Sequence, residues 1–175
     1  MPEALSTAVP MQRRRRLVRL LRDEFRLDWH GIHGSPHWAR VRINGLTIAA
    51  INGARRDVVE WFALLHDSQR LDEHVDSRHG ARAADFIAEI NGDYLALDDA
   101  GRDMLIYACR YHSDGMTEAD VTIQTCWDAD RLDLYRVGKR PDKARLCTDA
   151  ARRADVYERA IQRSLRVARS FAVEP

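Results

Sequence analysis

Apolar residues recur along most of this chain at steps of three and four, and no clear alternation at steps of two is present. The first spacing lays a stripe along one side of an α-helix; the second is the mark of a half-buried strand. An all-α fold is therefore expected, with helices near 11–27, 37–52, 55–67, 77–91, 98–112, 117–135 and 148–170. Between the first two, Asp28-Trp29-His30-Gly31-Ile32-His33-Gly34-Ser35-Pro36 breaks the pattern as a loop, and Pro36 suits the first turn of the next helix. Ser77 and Asp98 read as N-caps, and Asn91-Gly92 as a helix stop.

Several of those apolar stripes carry an ionisable residue. His37 shares a face with Val41 and Ile48; His66 with Val59 and Phe62; His79 with Ala83, Phe86 and Ile90; His112 with Leu105 and Ala108; Asp130 with Ile123 and Trp127. A polar group buried without a partner costs roughly 2–7 kcal/mol. A single core histidine is ordinarily satisfied by a carbonyl. Five such residues from five helices, joined by Asp67, are satisfied together by a shared divalent cation, since imidazole and carboxylate both suit Zn, Mn, Fe or Ni. Adjacent helix residues diverge by about 100°, so His66 and Asp67 can meet one ion only where a helix loosens. The polar stretch with Asp72, Glu73 and Asp76 fits a helix ending near Ser68.

Other readings are set aside. Lys+Arg 28 against Asp+Glu 27 gives a net charge of +1, so no global field draws nucleic acid. The run Arg13–Arg16 reads as a solvated helix face. Cys109, Cys126 and Cys147 form no CxxC pair, which argues against a zinc finger or disulfide scaffold. Met1–Pro10 reads as a frayed tail without a secretory signal, and no stretch approaches the roughly 18 apolar residues of a membrane span. A cytoplasmic location is expected. His30 and His33 read as a solvated loop, or else a pocket rim, and His74 as surface. Asp128 and Asp133 read as caps or partners of arginines, and the four tryptophans as core or pocket wall.

The order His37 … His66-Asp67 … Asp130 resembles the H…HD…D signature of the HD superfamily of metal-dependent phosphohydrolases. His37-Trp38-Ala39-Arg40-Val41, Leu64-Leu65-His66-Asp67 and Asp128-Ala129-Asp130-Arg131-Leu132-Asp133 carry the likeness. It covers about 28–138 as the HD core, with 1–27 as a tail and helix packed on it and 139–175 as a helical segment completing the same domain. The resemblance implies a helical bundle with a metal site in its core. His37, His66, Asp67 and Asp130 would ligate a first ion. With His79 and His112 the order becomes that of the two-metal branch, in which Asp67 bridges both ions. Alternatively, His79 and His112 face the pocket and touch substrate or water.

The implied activity is hydrolysis of a nucleotide or other small phosphate ester by a metal-activated water, with Asp67 central and Arg40 and Arg70 as candidate phosphate-assisting cations. One or two divalent ions (Mn, Fe, Zn, Ni or Mg) are implied. The expected partner is a small phosphorylated substrate, not a membrane; a homo-oligomer stays open. No GYP-like element follows, which disfavours a cyclic dinucleotide phosphodiesterase. Where some one-metal nucleotidases carry an acid one turn after the dyad, this chain has Arg70, leaving the general acid unassigned. A di-iron oxygenase of the same superfamily and a non-catalytic ligand-binding domain are the alternatives.

Overall fold

The computed structural model describes residues 10–171, and among them every regular element is helical. In chain order the α-helices are α1 (Met11–Glu24), α2 (Ser35–Asn52), α3 (Arg56–Leu65), α4 (His79–Tyr94), α5 (Asp99–Tyr111), α6 (Val121–Arg131), α7 (Asp149–Arg152) and α8 (Ala154–Phe171). Short 3₁₀ turns at Leu134–Val137 and Lys143–Arg145 link α6 to α7. No helix among the described residues is long and apolar enough to cross a membrane. Apart from Pro10, the expected tail lies outside the described residues.

Local side-chain bonds explain where these helices begin. Asp98 caps α5 by accepting from the Gly101 amide, as expected. Asp120 accepts from Thr122 N at 2.7 Å, so α6 starts at Val121 rather than near 117. Thr148 caps α7 through Ala151 N, and extended Arg153 separates α7 from α8 where one continuous helix was expected. α4 opens at His79, two residues beyond the expected cap Ser77, and Asp76 just before it accepts from the Leu71 amide and the Arg82 guanidinium. Nor does Asn91-Gly92 stop that helix, which continues to Tyr94, whose ring lies 4.6 Å below the Arg16 guanidinium.

Two apolar clusters hold the bundle. The larger joins Leu17 and Leu21 of α1 to Trp38, Val41, Val59, Trp61, Phe62, Ile87, Leu105 and Trp127. The smaller packs Ile48 and Leu132 against Leu146, Val156, Tyr157 and Ile161 of the C-terminal segment. Close approaches set the spacing. A Cβ on Gly45 would lie 2.5 Å from Cγ1 of Val59, so α2 and α3 meet almost backbone to side chain. A Cβ on Gly80 would lie 2.7 Å from the carbonyl oxygens of Cys109 and Arg110. Glycine there lets the start of α4 rest on the end of α5, which brings His79 beside His112.

Candidate metal centre

The polar residues on those stripes meet because each sits at a helix end. His37 is in the first turn of α2, His66 is the C-cap of α3, His79 opens α4, His112 is the C-cap of α5, and Asp130 is in the last turn of α6. α3 stops at Leu65, and residues 66–69 form turns closed by Ser68 N to Leu65 O and Arg70 N to Asp67 O. That early stop turns the Asp67 carboxylate toward the same space as the His66 ring. All four histidines and Asp67 are at most 4% exposed.

The donor atoms fall into two groups that share Asp67. In the first, Nε2 of His37 is 3.0 Å from Nε2 of His66, 3.6 Å from Oδ2 of Asp67 and 3.3 Å from Oδ1 of Asp130. Nε2 of His66 is 3.8 Å from each of those carboxylate oxygens. In the second, Nε2 of His79 and of His112 are 2.8 Å apart, and Oδ1 of Asp67 is 3.3 Å and 3.5 Å from them. Ligands about 2.1 Å from one ion stand roughly 3.0 Å apart at right angles and roughly 3.4 Å at the tetrahedral angle. The separations in the two groups, 2.8–3.8 Å, bracket that spacing, and each oxygen of Asp67 faces one of them.

Nδ1 of His66 bonds the Phe62 carbonyl at 3.1 Å, Nδ1 of His112 the Cys109 carbonyl at 2.7 Å, and Nδ1 of His79 the Asp76 carbonyl. Carbonyls only accept, so these nitrogens carry the ring protons. Nδ1 of His37 donates to Oδ2 of Asp133 at 2.7 Å. Four Nε2 atoms are left facing one another in two pairs, as lone pairs whenever the rings are neutral. Burial pushes His66 down to about 3, so its ring is neutral. Burial and then the neighbouring His112 lower His79 as well. On His112 burial acts against the charge, but the Asp67 carboxylate outweighs it and raises the imidazolium above its usual range. Burial likewise opposes charge on Asp67, yet the surrounding imidazoles hold its carboxyl well below the ordinary range. Each pair, with Asp67, could hold a metal ion. A shared proton relieves one pair; divalent ions fit both, with the nitrogen and oxygen donors such ions prefer. The residues present fit the implied metal.

Supporting bonds orient this set. Asp133 receives His37 Nδ1 on one oxygen and Nε of Arg40 on the other, both at 2.7 Å, and is 1% exposed. Burial raises its carboxyl, but His37 and Arg40 outweigh that and keep it ionised. Arg40, expected as a phosphate-assisting cation, is thus engaged from behind by Asp133. Arg70 does reach the centre: Nη1 lies 3.5 Å from Oδ1 of Asp67 and 3.3 Å from Nε2 of His79. His33 departs from the solvated loop expected of it. It is 7% exposed, Nδ1 lies 2.9 Å from Oδ2 of Asp67, and Nε2 lies 3.2 Å from the Glu73 carbonyl. Trp38 Nε1 anchors that loop by donating to the His33 carbonyl at 2.8 Å. His30 and His74 are exposed, and Asp128 ties down Cys147 N and Thr148.

Two cavities border the cluster, the first touching its ligands and the second only their neighbours His33 and Arg70. One, of about 390 Å³, includes His112 and Asp130 in its wall; the other, of about 400 Å³, includes His33 and Arg70. Leu134 and Lys139 border both. Set against known proteins, the chain matches no family model, no curated protein and no solved structure.

Proposed function

We propose that this chain is a metal-dependent phosphohydrolase of the HD type, acting on a small phosphorylated substrate. The observation that carries the reading is the double convergence of Nε2 atoms: four rings already donate through Nδ1, and a carboxylate with one oxygen toward each pair completes both donor sets. The order of these residues along the chain adds the likeness to the superfamily.

Bound divalent ions would supply charge neutralisation for phosphoryl oxygens and a water acidified to near-neutral pKa. His37, His66, Asp67 and Asp130 would hold one ion, and Asp67, His79 and His112 the other. Asp133 keeps the His37 ring oriented with Nε2 inward. His33 steadies the Asp67 oxygen of the first group. Arg70, beside the second, presents guanidinium donors toward the 400 Å³ cavity, where a phosphoryl oxygen would meet them. Helix packing shuts the ligand rings from bulk water, which strengthens these interactions.

The test is elemental analysis of purified protein followed by hydrolysis of a panel of phosphate esters and anhydrides with the metal found. One or two equivalents of metal per chain and turnover abolished by Asp67→Ala are expected. No metal, or no hydrolysis by loaded protein, overturns the reading. Iron with oxygen consumption would assign the chain to the oxygenase alternative.

A further inference from the structure

The 390 Å³ cavity brings basic side chains up to the candidate ligands. At one end it includes His112 and Asp130, one ligand from each donor group; around it stand Arg131, Lys139, Arg140 and Arg145. Across the chain, cations and anions nearly cancel, and most arginines near an acid use it: Arg40 with Asp133, Arg55 with Asp57 and Asp98, Arg82 with Asp76, Arg110 with Asp85. The four cavity cations do not. Lys139, Arg140 and Arg145 are exposed and have no carboxylate within 4.0 Å among the described residues, although Arg140 stands against the Tyr157 hydroxyl and in the field of Glu158. Arg131 bonds only the carbonyls of Arg145 and Met116 and the Cys147 sulfur. Asp142, the other acid in the wall, is turned to the Ala144 amide at 2.9 Å.

The segment bearing these charges is held in place. Gly138 closes the 3₁₀ turn with left-handed backbone, Tyr157 donates to the Pro141 carbonyl at 2.6 Å, and Leu146 is fully buried. A fixed group of cations with no bonded carboxylate, next to a candidate ligand cluster, is a site for anionic charge. A single phosphoryl group in the centre would be balanced by the ions there, which leaves these four cations for a second one. No Trp, Tyr or Phe lines the cavity; His112 supplies its one aromatic ring.

We infer that the cavity walled by Arg131, Lys139, Arg140 and Arg145 is a second phosphoryl subsite, so that the substrate carries at least two phosphoryl groups. This assignment rests on the phosphohydrolase reading for the first group, but its test is a binding measurement that stands apart from turnover. Methylenediphosphonate, whose P–C–P link resists hydrolysis, and methylphosphonate are titrated calorimetrically into metal-loaded protein and into the triple variant Lys139→Gln/Arg140→Gln/Arg145→Gln, with metal content measured for both. The three positions are exposed, so the variant keeps its core. Wild-type protein is expected to prefer the diphosphonate by about tenfold or more, the order given by one or two charge-assisted bonds. The variant should lose that preference at unchanged metal content. An equal preference in both proteins, an equal weakening of both ligands, or tighter binding of a 5′-phosphorylated RNA oligonucleotide than of the diphosphonate would overturn the subsite. Failure of the hydrolase reading would instead appear as absence of turnover with the diphosphonate preference intact.

Discussion

Asp133→Asn separates the support of the centre from its ligands. Asp133 accepts two charge-assisted bonds at 2.7 Å, from His37 and Arg40, in a site 1% exposed. Asparagine has nearly the same shape, but its amide presents one acceptor and one donor to two donors. One bond is lost and the Arg40 guanidinium stays buried without its counter-charge. Breaking a buried pair in this way costs about 3–5 kcal/mol, and at about 2–4 °C per kcal/mol for a chain of this size the metal-free protein should melt roughly 6–20 °C lower. The His37 ring is also freed to turn, and losing such a support weakens metal binding by about 10–100-fold. Thermal melts in chelator and competitive metal titration read the two effects separately. Asp149→Asn, which breaks the exposed pair with Arg152, is the reference and should cost under about 1 kcal/mol. Adding Arg40→Met to Asp133→Asn should restore part of the stability and none of the metal affinity. If Asp133→Asn melts with wild-type protein and binds metal as tightly, the support described for His37 does not exist.

Other perturbations address the two donor groups and their surroundings. His112→Ala should remove one metal equivalent and leave the other, read by elemental analysis; loss of both would mean that the groups are not separable. Arg70→Gln removes a positive charge from beside Asp67 and His79, so an ion there should bind about tenfold more tightly in a calorimetric titration; unchanged affinity would contradict that placement. Burial first, and then Asp128, pushes the Cys147 thiol up to about 12, so iodoacetamide at pH 8 should label native protein far more slowly than unfolded chain. Burial opposes the Asp76 carboxylate, but Arg82 and the Leu71 amide lower its pKa to about 2. Because the folded value lies below the unfolded value of about 3.8, the stabilisation is present above that pH and is lost as pH falls toward 2. In metal-free protein, the stability difference between wild type and Asp76→Asn should shrink across that interval.

Helix-period stripes made the all-helical fold and the convergence of His37, His66, His79, His112 and Asp130 legible, because a core position follows directly from sequence spacing. His33 was not legible. Its burial depends on how a glycine loop folds back against Trp38 and Glu73, and loop geometry leaves no periodic trace. Asp133 was legible only as a partner for arginine. As part of a longer α6 it would share a face with Asp130; since α6 ends at Arg131, it instead approaches His37 from the Nδ1 side. Arg40 shows the matching limit, because nothing in the sequence says which side of His37 its guanidinium takes. The run through Asn91-Gly92 has a similar cause: glycine weakens a helix, but the packing of α4 along α5 outweighs about 1 kcal/mol of propensity.

The bond between Asp133 and His37 spans 96 positions, and Ser164 Oγ then donates to the Asp133 carbonyl from a further 31 along. Such contacts are the slowest kind to form, since a long loop must close before any of them gains strength. As the chain leaves the ribosome, α2 waits for α6 before the His37 ring has its orienting acceptor. The His and Asp cluster is therefore among the last parts to assemble, and a metal ion bound there would lock the finished tertiary structure rather than seed it.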